Sequence, residues 1–108
     1  MNTLFEFYDA PVRKGATLME QFVAFHNANP HVYAELRRLA LELRAKGHRR
    51  AGIQMLFEQM RWQWYQRTTD VSGFKMNNSY GAYYARMLME RESELAGFFA
   101  TRHAKGEQ

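Results

Sequence analysis

The sequence predicts an all-α fold, a compact bundle of four to five helices with a short N-terminal strand or arm, and three observations carry that expectation. Apolar residues recur at helical spacing along most of the chain. Helix start and stop signals punctuate them at Asn29-Pro30, Gly47 and Asn77-Asn78-Ser79. A hydrophobic fraction of 46% and an aromatic fraction of 15% in 108 residues supply one hydrophobic core, and the length allows no second.

Residues 1–16 read as the arm: Leu4, Phe5, Phe7 and Tyr8 are apolar, and Pro11 with Arg13-Lys14-Gly15 then breaks the pattern. A single helical domain is expected over 17–102, with 103–108 as a polar tail. Within the domain, Leu18, Phe22 and Phe25 mark a first helix from Thr17, ended by Asn27 and Asn29. Asn29 as N-cap and Pro30 at the first helical position open a second helix to about Lys46, closed by Gly47. Its buried stripe is Val32, Leu36, Leu39 and Leu43. Glu35, Arg38 and Glu42 share one flank, whereas Arg37 and Arg44 lie on the other with no acidic neighbour on that flank.

A third helix is expected from Arg49 or Ala51 to Gln66, with Ile53, Leu56, Phe57, Met60 and Trp64 inward. Met55 and Trp62 project to the opposite side beside Gln59 and Gln66, so this helix is either covered on two sides or carries a second contact surface. Thr68 to Met76 reads as a loop, with Asp70, Ser72 and Gly73 as turn formers and Phe74 pinned to the core. Asn77, Asn78 and Ser79 offer N-caps for a helix through about Arg91, with Tyr80, Tyr84, Met87 and Leu88 inside, Ser79, Ala82 and Arg86 projecting outward, and Ala82 with Ala85 as a small outer face. Ser93 with Glu94 caps a final short helix carrying Leu95, Phe98 and Phe99.

The turn Ala45-Lys46-Gly47-His48-Arg49-Arg50 places cationic side chains where a helix is expected to begin. That end of a helix is already partly positive and presents free N–H groups, so an anion there offsets the mismatch. A phosphate supplies such an anion, and nucleic acid presents phosphates in a row. The formal charge of +4 agrees in sign. The expected function is therefore non-enzymatic binding of nucleic acid, with double-stranded DNA leading. Arg37, Arg44, Lys46, Arg49 and Arg50 hold phosphates in this reading, and Asn77, Asn78, Ser79 and Arg86 supply base contacts. The alternative is a protein–protein module or inhibitor that uses Met55, Gln59, Trp62 and Gln66, a face through which two copies could also pair as a homodimer.

Catalytic, metal and cofactor signals are missing. With no cysteine, disulfides, thiolate zinc sites and cysteine nucleophiles are excluded, and the cytoplasm is the expected compartment. His26, His31, His48 and His103 have no metal-site spacing, and no Gly-rich phosphate loop or serine elbow occurs. Tyr80, Tyr83 and Tyr84 with Arg86 and Glu90 fall on one predicted helix, which excludes the convergent geometry of a tyrosine nuclease. Glu90, Glu92 and Glu94 are read as solubility and capping residues. No run approaches the roughly 18 apolar residues of a membrane span.

Gly47-His48-Arg49-Arg50, Phe57-Glu58 followed by Arg61-Trp62, Asn77-Asn78-Ser79-Tyr80, Tyr84-Ala85-Arg86 and Gly97-Phe98-Phe99 together resemble a pattern in small, mostly uncharacterised bacterial and phage-type proteins. The resemblance spans Asn29 to Arg102 and leaves out the N-terminal arm. It implies a single-domain protein of phage or prophage association, a group in which DNA-binding regulators and inhibitors of host systems are common. It transfers no site residue.

Overall fold

The computed structural model describes residues 6–69, 74 and 76–100. Among them are four α-helices: α1 (Leu18–Ala28), α2 (Pro30–Ala45), α3 (Ile53–Arg67) and α4 (Gly81–Arg91). Short 3-10 turns at Asn78–Tyr80 and Ser93–Leu95 flank α4. The fold is all-α, as the helical periodicity predicts.

Helix α1 begins where Thr17 accepts from the Glu20 N–H and Glu20 accepts from the Thr17 N–H, a reciprocal pair that satisfies two otherwise orphaned donors. Asn29 does not cap α2 with its side chain. It is fully buried, and its amide does other work: Oδ1 accepts from the Tyr8 N–H at 2.7 Å, and Nδ2 donates to Tyr8 O and Phe25 O at 3.1 Å each. One side chain thus pairs with both backbone groups of Tyr8, as a neighbouring strand would. The arm is held there as irregular chain, without a strand in residues 6–16, and His31 Nε2 adds a contact to Glu6 O at 2.6 Å. Leu4 and Phe5 lie outside the described residues.

Helices α1, α3 and α4 meet around Tyr84, whose ring lies edge-on to Phe22 at 4.8 Å and to Phe57 at 6.2 Å. The expected inward residues Leu36, Leu39, Ile53, Phe57, Met60, Trp64, Tyr84 and Phe98 are buried, whereas Leu43 and Met87 are only half-buried at the margin. Ala85 belongs to the core and not to an outer face, because α4 rolls it inward beside Tyr84 and Leu88. The predicted final helix is a single 3-10 turn. Gly97 then takes a left-handed φ of +72°, which turns Phe98 and Phe99 back into the core. There Phe99 forms an isolated parallel bridge with Ala51, the one β pairing among the described residues.

Phe74 packs against the core as expected, edge-on to Phe7 at 5.3 Å and under the Arg61 guanidinium at 5.2 Å. Asp70, Ser72 and Gly73, the expected turn formers, lie outside the described residues, as does the tail 103–108.

Candidate nucleic-acid interface

Helix α2 ends because Gly47 adopts φ +101°, a left-handed conformation open to glycine at little cost. Gly47 N–H then reaches Arg44 O at 3.0 Å and His48 N–H reaches Leu43 O at 3.2 Å, which satisfies two of the last carbonyls and reverses the chain. From His48 to Gly52 the backbone runs without helix, tethered where Ala51 N–H donates to Phe98 O at 3.1 Å. Gly52, extended and with no side chain to cap, hands over to α3 at Ile53.

This shifts the start of α3 beyond the predicted Arg49 or Ala51. The bridge to Phe99 holds Ala51 extended, so no helical turn forms before Gly52. Arg49 and Arg50 consequently lie on the approach to the helix and not in its first turn. No cationic side chain is forced against the positive end of α3, and the first turn also lacks an acidic residue.

The five cations assigned to phosphates separate into two groups. Arg37 is committed to Glu92 at 2.9 Å, a contact that raises its already high pKa, and Glu92 also accepts from Tyr33 Oη at 3.4 Å. The helix pattern of α2 had left Arg37 without an acidic neighbour on its flank, and its partner arrives from the segment after α4. Lys46 lies 3.7 Å from Glu42, which also pairs with Arg38 at 3.2 Å. Arg44, Arg49 and Arg50 are exposed, and no hydrogen bond or ion pair engages them among the described residues.

The polar segment ahead of α4 sits against the same end of α3. Asn77 Oδ1 accepts from Ser79 N–H at 2.8 Å and so caps the 3-10 turn, after which α4 starts at Gly81, two residues beyond the predicted caps. Gln54, in the first turn of α3, donates to Asn78 O at 3.1 Å, and Arg61 donates to Asn78 Oδ1 at 3.2 Å. Packing at this corner is close: a Cβ at Gly81 would meet the Gln54 amide, the far end of a flexible side chain, and stand 3.2 Å from Ile53 Cγ2. Asn77 and Asn78 therefore have intramolecular roles. Arg86 is half-buried with its guanidinium 5.5 Å from the Tyr83 ring centre. Sequence reasoning missed Gln54 and Arg61, and no local pattern marks them, because their partner comes from another helix.

The other face of interest is open. Met55 is 53% and Trp62 62% exposed, so α3 is covered on one side only, and Gln59 and Gln66 are exposed beside them. Leu39, Glu42 and Leu43 of α2 form a shallow groove with Met55, Leu56 and Gln59.

His26 stacks on Phe22 and meets Tyr33 and Tyr84 edge-on, and burial with the nearby Arg91 charge lowers its pKa. No group of three or more His, Asp or Glu side chains among the described residues is placed to hold a metal ion. No described helix is long and apolar enough to cross a membrane. No family model, curated protein or solved structure matches the chain.

Proposed function

We propose that the protein binds nucleic acid, with duplex DNA as its ligand, and that it acts as a binding protein and not as an enzyme. The observation that carries this reading is the pairing pattern of the cations. Arg13, Arg37, Arg38, Lys46 and Arg61 each face an acidic side chain within 4 Å; of the exposed cations with no such partner among the described residues, Lys14 and Arg91 stand singly, whereas three, Arg44, Arg49 and Arg50, fall within seven positions, with Glu94 lining a pocket beside Arg44. Unneutralised, closely spaced arginines suit a row of phosphates, because each one that engages the backbone releases condensed counterions. Arg44, Arg49 and Arg50 are the centre of the footprint, and Arg37 and Lys46 join it only by sharing themselves with Glu92 and Glu42. A regulator of phage or prophage type is the role that the resemblance in sequence adds.

Fluorescence anisotropy of a mixed-sequence duplex across a salt series tests the reading, with Arg49→Gln/Arg50→Gln as the control. Binding that weakens steeply with salt, and less steeply in the variant, supports it; absence of binding at low salt removes it.

A second reading has its own observation, the exposure of Trp62 beside the α2–α3 groove. Large exposed aromatics next to grooves suit protein contacts, including self-association. Capture of a partner that Trp62→Ala abolishes, in a protein that does not bind DNA, would favour this reading. A sedimentation mass of one chain at high concentration would remove the homodimer.

A further inference from the structure

The outward side of α3 does not have the composition of a solvated helix face. Helix α2 shows what such a face looks like: Arg38 bridges Glu35 and Glu42, and Lys46 extends the ladder. On α3, Gln54, Met55, Glu58, Gln59, Trp62, Tyr65 and Gln66 are exposed together, amides and large apolar groups around a single charge, Glu58. At helical spacing they form one broad side with Trp62 near its middle. Helix α4 offers nothing comparable, with only Glu90 and Arg91 exposed along its length.

Charge indicates what covers this side. Glu58, within this side, is paired with Arg61 at 3.1 Å, and Glu42, across the groove on α2, with Arg38 and Lys46. The chain leading into it carries the unpaired Arg49 and Arg50. The approach to this side is therefore electrostatically matched to a polyanion, the side itself is close to neutral, and its amides carry the paired donor and acceptor that recognise base edges. From Gln54 to Gln66 the helix advances about 18 Å, enough to lie along a duplex major groove about 12 Å wide.

We infer that the outward side of α3 faces the bases of the duplex, with Gln59 and Gln66 contacting base edges and Trp62 packing against them. Helix α3, and not the polar segment before α4, then reads sequence. This assignment rests on the phosphate-binding reading above. It agrees with the internal engagement of Asn77 and Asn78, which leaves them poorly placed as base readers.

The test is selection from a duplex library with a randomised centre, followed by anisotropy on the enriched duplex, a scrambled duplex and the enriched single strand. Wild-type protein is expected to prefer the enriched duplex over the scrambled one at least about tenfold, the discrimination of one good amide–base pair. Gln59→Ala/Gln66→Ala should lose that preference, while its affinity for the scrambled duplex and its salt slope stay within about twofold of wild type. Both side chains are exposed, and an unchanged thermal melt verifies the fold of the variant. A preference that survives the double substitution overturns the assignment, as does equal or tighter binding of the single strand. Salt-dependent binding with no sequence preference overturns it too, but leaves the phosphate contacts standing. Absence of salt-dependent binding overturns both.

Discussion

Neutralising Arg49 and Arg50 gives a result whose size can be worked out in advance. Each phosphate contact contributes about −0.9 to the slope of log K against log salt on B-form DNA. If Arg44, Arg49 and Arg50 each hold one phosphate, the slope is about −2.7, and affinity falls about 40-fold between about 50 and 200 mM salt. Arg49→Gln/Arg50→Gln retains one of these contacts, a slope of about −0.9 and a fall of about threefold over the same range. Should Arg37 and Lys46 also reach the backbone, both slopes steepen equally. The difference of about 1.8 between wild type and variant, about 12-fold over that range, is thus independent of the total count. Glutamine is preferred to glutamate because it removes charge without adding repulsion. The assay is anisotropy of a labelled mixed-sequence duplex at five or more salt concentrations. Equal slopes for the two proteins would refute the reasoning, since the two arginines would then touch no phosphate.

Three further outcomes follow from the geometry. Asn29→Ala removes three hydrogen bonds from a fully buried amide and is expected to lower unfolding free energy by about 3 kcal/mol in urea titration; a loss below about 1 kcal/mol would show that the arm is held by other means. Gly47→Ala meets no atom within 4 Å, so its cost should be the left-handed backbone alone, about 1–2 kcal/mol by the same assay, and a neutral result would remove the role of Gly47 as helix terminator. Because burial lowers the pKa of His26 from 6.5, the unfolded chain binds its proton first, so stability is full above about pH 6.5 and declines as pH falls below it. His26→Leu should flatten that decline between about pH 7 and pH 5, above the range in which Glu20, lowered from 4.5, titrates; an unchanged profile would place the proton uptake elsewhere.

Most of the helical framework was legible because it rests on local chemistry. The Asn29-Pro30 start and the Gly47 stop bound α2 to within a residue of expectation, since proline fixes φ and glycine tolerates +101° whatever surrounds them. The inward stripe of α3 was equally readable, as burial of Ile53, Leu56, Phe57, Met60 and Trp64 follows from helical spacing alone. Four of the misreadings share one cause, a partner distant in sequence. Asn29 has the residue type and position of an N-cap, yet it serves Tyr8, 21 residues away. Arg37 lacks an acidic neighbour on its own helix and finds Glu92 across the fold. The start of α3 is delayed by a bridge to Phe99, and Asn78 is held by Gln54 and Arg61.

By itself the sequence determined the fold class, the helix stripes, the shared side of Met55 and Trp62 on α3 and the concentration of cations between positions 44 and 50. Each of these depends on residues within a few turns of one another, where spacing along the chain is spacing in space. Only the tertiary structure decided which cations remain unpaired, which polar residues are already engaged and which side of α3 is left open. Those depend on charges and amides that meet across the fold, and a linear pattern does not record who meets whom.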